Sequence, residues 1–206
     1  MKTRHIENVS FMTFVVAALS LSMMARGSEE EKKESPPMLV SEASQPKGFP
    51  SPGAVGKVII KTYPAHRLAR AQDSAGSDNS MFMKLFNHIK RNDIAMTSPV
   101  QMDEKRKSMA FLYGSSELGS PGPDPKDPTV VVEDIPEIQV LSVGLRGSYS
   151  KSTTEKGVAL LRDWLSSHPE WKESGLPRTL GYNSPFVPSF LKYSEIQIPI
   201  SPAGIQ

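Results

Sequence analysis

No cysteine occurs among the 206 residues. That absence excludes disulfides, thiolate metal sites, iron–sulfur clusters, covalent c-type haem attachment, a cysteine nucleophile and a lipid-modified N-terminal cysteine. A domain of this length can be stable without cross-links, because its core is large enough. An excess of charge is missing too. The chain has 24 basic and 22 acidic residues, and residues 1–27 hold Lys2, Arg4 and Arg26 against Glu7, which leaves 21 of each sign. A neutral domain lacks the excess of positive charge that nucleic-acid binding by a basic face uses, so nucleic acid is not an expected partner. No Ser-His-Asp order, phosphate loop or metal-ligand cluster is evident either.

A single long apolar run is present, "VSFMTFVVAALSLSMMA" from Val9 to Ala25. Lys2 and Arg4 precede it, "ARG" at Ala25–Gly27 offers small residues around a cleavage point, and "SEEEKKES" then turns polar. The pattern reads as a signal peptide over residues 1–27, with an uncleaved anchor as the alternative. The expected location is export, secreted or periplasmic, with membrane attachment only if the segment is retained. Residues 28–55 mix charge, proline, serine and glycine without apolar periodicity and read as a flexible linker. The folded domain is expected over residues 56–201.

Within it, "KVIIKTYPAHRLARAQ" reads as a strand from Lys57 to about Gln72, with Pro64 at an edge or bulge. "SMFMKLFNHIKRN" predicts a helix over Ser80–Arg91, its apolar face formed by Met81, Phe82, Leu85, Phe86 and Ile89. Two strands follow, "IAMTSPVQM" and "SMAFLYG", and then a proline-rich loop, "SELGSPGPDPKDP". The order then repeats. "TVVVEDIPEIQVLSVGLRG" is extended, "STTEKGVALLRDWLSS" is a helix with a Ser152/Glu155 capping box, and "RTLGYN" and "KYSEIQIPI" are strands. Val158, Leu161, Trp164 and Leu165, with Leu160 beside Trp164, line the second helix's buried face. Ile196, Ile198 and Ile200 alternate as on a half-buried strand. Two βαββ halves predict an α+β fold: a pseudo-twofold distorted antiparallel β-barrel or curved sheet with two flanking helices.

"YPAHRLA", "IAMTSPVQM", "PDPKDPTVVVEDIP", "GYNSPFVPSF" and "SEIQIPI" stand in the order and spacing of a known family. In these residues the chain, from about Gly56 to Ile200, resembles the SOUL/haem-binding-protein family. The resemblance implies non-covalent binding of haem or another tetrapyrrole without an obvious enzymatic reaction. It further implies a groove between the first helix, Ser80–Arg91, and the loop Asn183–Lys192.

The residues of that helix bear on the same question. Its polar face carries Lys84, Asn87, His88 and Arg91, with Met83 and Lys90 at one margin. A thioether there could pack on a porphyrin, and Lys84, Lys90 and Arg91 could meet its propionates. The bland alternative is a marginal core Met83 beside a solvated basic face. Phe186, Val187 and Phe190 form the groove's other wall, or else fold back as a core plug. Met96 and Met102 are expected in the core, with Thr97 and Ser98 satisfying nearby backbone groups. His88 is a possible axial iron ligand, although surface or structural roles suit both His88 and His66. Glu195 is the candidate base of a rival reading, a small-molecule hydrolase or effector-binding domain of a related fold. A third reading is a protein-interaction module docking through Phe186–Phe190. The oligomeric state is left open.

Overall fold

The computed structural model describes residues 43–73, 77–103, 105 and 107–204. The expected signal segment and most of the linker lie outside these residues. The chain divides into two units, Met1–Glu34 and Ser35–Gln206, and only the second contains described residues.

Among the described residues, ten strands and two α-helices follow in order. They are β1 (Val58–Tyr63), β2 (His66–Gln72), α1 (Asp78–Arg91), β3 (Val100–Asp103), β4 (Ser108–Leu112), β5 (Gly122–Asp124) and β6 (Asp127–Ile135). Next come β7 (Ile138–Arg146), α2 (Lys151–Ser166), β8 (Trp171–Glu173), β9 (Arg178–Gly181), a 3-10 turn (Ser189–Leu191) and β10 (Tyr193–Pro202). The strands form one open antiparallel sheet in the order β1-β7-β10-β9-β3-β4-β2-β6-β5, with β8 added on β10. The βαββ units are β2-α1-β3-β4 and β7-α2-β9-β10. They meet where β3 pairs with β9, and β6 and β1 extend them at matching positions. The architecture is the expected α+β curved sheet with two helices, but the sheet is not closed into a barrel.

Several elements differ from expectation for physical reasons. Pro64 ends β1 instead of bulging a single long strand, because it has no amide hydrogen for the ladder. β1 then pairs with β7, whereas β2 pairs with β4 and β6. Only Val100–Asp103 of "IAMTSPVQM" is strand, while Thr97 Oγ1 donates to the Leu112 carbonyl at 2.5 Å and Ser98 Oγ donates to the Tyr182 carbonyl at 3.2 Å. Helix α2 starts earlier than its expected box: Ser150 is the N-cap and accepts from the Thr153 amide at 3.2 Å.

One face of the sheet carries the helices. Met81, Leu85 and Ile89 of α1 bury against Ala69, Ala71, Met102, Met109, Phe111, Val130 and Val132. Val158 and Leu161 of α2 bury against Leu141, Val143, Ile196 and Ile198, with Trp164 and Leu165 partly buried beside them. Leu160 turns outward and is exposed. Gly157 lets α2 approach β10 closely: a Cβ there would stand 2.3 Å from Ile196 Cγ1. Each buried large aliphatic side chain contributes about 1.5–3 kcal/mol from removal of apolar surface from water.

The last strand was expected to be half-buried, and both its faces are covered. Every residue of β10 from Tyr193 to Ile200 is buried. Residues 43–55 lie against the face opposite the helices, so the body starts earlier than Gly56. Phe49 packs edge-on to Tyr63 at 4.9 Å and to His66 at 5.1 Å. The Lys47 amide donates to the Gly114 carbonyl at 3.1 Å and the Gly53 amide to Glu195 at 2.6 Å. The part of the expected linker that is described is therefore a packed strap.

Candidate functional site

Helix α1 runs from an N-cap, Ser77, whose side chain accepts from the Ser80 amide, to Asn92. Successive residues turn by about 100°, so the two margins of its buried stripe are chemically different. One margin faces the sheet edge. There His88 is buried, with Nδ1 against the Asp124 carboxylate and Nε2 2.7 Å from the Tyr113 hydroxyl. The network assigns the tautomer: Nδ1–H donates to Asp124 and Nε2 accepts from Tyr113. Arg91 donates to the same Asp124 oxygen at 2.8 Å.

Burial alone would raise the Asp124 pKa. Hydrogen bonds from His88, the Lys126 amide, Arg91 and the Asp127 amide outweigh it and hold the carboxyl well below the usual range. Burial is also the main reason the Tyr113 hydroxyl is pushed up to about 12.

These contacts change the expectation for two residues. His88 does not lie on an open polar face: it is buried and both ring nitrogens are engaged, which leaves no lone pair aimed outward for iron. Arg91 is tied to β5 rather than extended toward a ligand. Sequence reasoning missed Asp124 because it sits in the proline-rich segment, 36 positions from its histidine.

The other margin of α1 looks toward the middle of the sheet. Phe82 meets Phe111 of β4 edge-on at 5.2 Å and stacks on Phe86 at 6.2 Å. Phe86 is 39% exposed and Met83 44% exposed, so Phe86 belongs less to the core than its spacing suggested. Asn87 and Lys90 are exposed and Lys84 is half-buried. By helical angle, Lys90 is the base that shares this margin with Met83 and Phe86, whereas Lys84 sits on the side of His88 and Arg91.

The loop Asn183–Lys192 leaves β9 and returns as β10. Its stem is held by Tyr149, from the turn before α2. The Tyr149 hydroxyl accepts from the Asn183 amide at 2.7 Å and donates to the Tyr193 carbonyl at 3.1 Å. Gly181 leaves room for that ring, since a Cβ there would stand 2.9 Å from it. Tyr149 also packs against the core cluster that holds α1, which links the loop stem to the helix layer. Phe186 is 95% exposed and Phe190 74%, so neither is a core plug. Val187 is half-buried.

The opposite face of the sheet holds Glu195, fully buried. The Gly53 amide, Lys61 Nζ at 2.5 Å, Gln197 Nε2 at 3.1 Å and the Tyr182 hydroxyl at 3.3 Å donate to it. The Tyr63 and Tyr193 hydroxyls lie at 3.4 and 3.2 Å, although the latter directs its proton to the Gly53 carbonyl at 2.6 Å. Burial, then the glutamate's charge, push the Tyr63 and Tyr193 hydroxyls far above their usual range. This arrangement binds the strap to the sheet. A substrate would have to displace the strap to reach Glu195. His66 is buried with Nδ1 2.7 Å from the Pro64 carbonyl, and His168 Nδ1 lies 2.7 Å from the Trp164 carbonyl with its ring stacked on Trp164. A polar depression of about 290 Å³, lined by Arg70, Gln72, Val131 and Glu133 among others, lies on the sheet face opposite α1. Among the described residues no group of His, Asp and Glu is placed to hold a metal ion.

The fold has counterparts among solved structures. The C-terminal domain of EcmrR matches with a TM-score of 0.51 at 15% identity, covering 71% of this chain and 98% of that one. A hydrolase from Listeria innocua matches with a TM-score of 0.52 at 8% identity, covering 72% and 94%. At these identities the likeness is one of fold alone. No curated protein is similar enough in sequence to match. The family model described as "SOUL heme-binding protein" matches residues 51–199.

Proposed function

Since the chain belongs to the SOUL heme-binding protein family, we propose that it holds haem or another tetrapyrrole reversibly and non-covalently, for sequestration, buffering or transfer. The ring lies between the outward margin of α1 and the Asn183–Lys192 loop. Met83 and Phe86 contact one side, Phe186 and Phe190 the other, and Lys90 meets a propionate. Asn87 and Lys84 stand at the rim of the same helix. The observation that carries this reading is the exposure of Met83, Phe86, Phe186 and Phe190, large apolar side chains that the core does not use.

Tetrapyrrole chemistry fits the residues. Two propionates suit lysine, and the ring offers apolar area worth about 25 cal/mol per Å² before ordering costs. No outward-facing histidine is required. His88 is committed to Asp124 and Tyr113, so the iron is not ligated through it. The reading includes no catalytic step, and Glu195 acts as the anchor of the strap. Export through the N-terminal segment belongs to the same proposal, which would place the pocket outside the cytoplasm. No nucleic-acid partner is part of it.

The test is a titration of hemin and of iron-free protoporphyrin, followed by absorption, on the wild-type chain and on Met83→Glu. Both ligands are expected to bind wild type with similar affinity. Met83→Glu is expected to weaken both by about 10- to 100-fold, the worth of one buried side chain. Unchanged titration of Met83→Glu removes the α1 margin from the site.

A further inference from the structure

The most exposed large apolar side chains of the described residues are Phe186 (95%), Leu176 (79%) and Phe190 (74%), and two of them share one loop. That loop is held, not loose. The Val187 amide donates to the Ser184 carbonyl at 3.1 Å and the Leu191 amide to the Pro188 carbonyl at 2.9 Å. Pro185 and Pro188 fix φ on either side of Val187. Leu191, 38% exposed, continues the apolar tip.

Cations bind the stem. An Arg146 guanidinium nitrogen donates to the Leu191 carbonyl at 2.7 Å, and Lys192 Nζ donates to the Pro185 carbonyl at 3.2 Å. Lys151, at the start of α2 and five residues after Arg146, is exposed, with the exposed Glu155 one turn on at 3.6 Å, a surface pair that an anionic headgroup can replace. The segments that meet here, residues 144–154 and 183–194, contain no aspartate or glutamate, and Glu155, paired with Lys151, is the nearest acid along α2. In a chain that is otherwise balanced in charge, this end of the sheet is apolar at its tip and basic at its base.

We propose that the loop 184–191 docks on an anionic lipid bilayer. Phe186 and Phe190 enter the boundary between headgroups and acyl chains, while Arg146, Lys151 and Lys192 remain at the headgroup phosphates. Both halves of the arrangement match such a surface: aromatic side chains gain apolar contact a few ångströms below the headgroups, and bases gain from the negative surface potential. The loop's own hydrogen bonds satisfy part of its backbone, which lowers the cost of leaving water. This docking uses the same two phenylalanines that pigment binding places against the ring, so the bilayer and the pigment compete for them; hemin titration without lipid reads pigment binding alone.

The absence of cysteine provides the test. Ser189→Cys in the full chain gives a unique attachment point for an environment-sensitive fluorophore at the exposed tip. Leu176→Cys, beyond the other end of β9, gives a control that N-terminal attachment would affect no differently. Phosphatidylcholine vesicles with phosphatidylserine are expected to shift the Ser189 label to the blue and raise its intensity several-fold. The Leu176 label stays unchanged. High salt weakens the response, and Lys151→Ala weakens apparent affinity about five-fold, the share of one base. Phe186→Ser/Phe190→Ser removes the response while circular dichroism shows the fold intact. A Ser189 label unaltered on vesicles that pull down the chain overturns the proposal and assigns binding to another segment. A response that needs no vesicles and rises with protein concentration also overturns it, giving the loop to a second copy of the chain.

Discussion

Replacing Glu195 with glutamine tests the strongest physical statement about the interior, that one carboxylate binds the N-terminal strap to the sheet. Lys61 is 4% exposed at its side chain and Glu195 is fully buried. The substitution keeps volume and shape but leaves a buried ammonium with a neutral amide oxygen at best, and turns the amide NH2 toward the Gln197 and Tyr182 donors that the carboxylate accepted from. Removing one partner of a buried ion pair costs about 3–5 kcal/mol, because the desolvation of the other is no longer offset. For a domain of this size each kcal/mol lowers Tm by about 2–4 °C, which predicts a fall of about 6–20 °C. The assay is urea and thermal unfolding followed by the fluorescence of Trp164 and Trp171. Lys61→Met/Glu195→Gln removes both charges and is expected to recover much of the loss. A Glu195→Gln chain within about 1 kcal/mol of wild type refutes the reasoning, since ordinary surface substitutions produce changes that small.

Asp124→Asn is expected to cost about 1–3 kcal/mol by weakening the charge-assisted bonds to His88 and Arg91, read from urea midpoints. The depressed Asp124 pKa contributes stability above the unfolded carboxylate value near 3.9, and that stability is lost as pH falls below it, so acid unfolding should be less steep in Asp124→Asn. At the alkaline end, Tyr63, Tyr113, Tyr149, Tyr182 and Tyr193 all have raised pKa values, chiefly through burial. The unfolded chain ionises first, so stability should fall as pH rises through about 10, with tyrosinate absorbance appearing together with unfolding. Gly157→Ala should destabilise by about 1–3 kcal/mol although alanine is the better helix former by about 1 kcal/mol, because the Cβ meets Ile196; a stabilised variant contradicts the close approach of α2 to β10.

The fold was readable because its signals are local and repeated. Met81, Leu85 and Ile89 recur at helical spacing, and the strand–helix–strand–strand order occurs twice. What sequence did not disclose was the long-range pairing. His88 looked like a polar-face residue because nothing local shows that β5 brings Asp124 over it. The "EIQIPI" alternation implied one dry face, but a strap drawn from proline- and serine-rich sequence makes the second face an interior, where Tyr63, Tyr182, Glu195 and Gln197 satisfy one another. The lone aromatic of that strap, Phe49, was the available signal. Pro64 was recognised as an interruption, but only the structure shows that it sends successive strands to different parts of the sheet. Of the candidate site, Met83, Phe186 and Phe190 are exposed, whereas Arg91 and His88 are committed to Asp124.

The central claim is that a planar tetrapyrrole lies against the Met83–Phe86 margin of α1 and the Asn183–Lys192 loop. Amide chemical shifts of the isotope-labelled chain, followed during addition of protoporphyrin, test it most directly, because ring currents act over only a few ångströms. The account predicts the largest changes within residues 82–90 and 183–192, with the β2–β6 face around Arg70 and Glu133 silent. Changes centred on that face, or on the Glu195 interior, would contradict it.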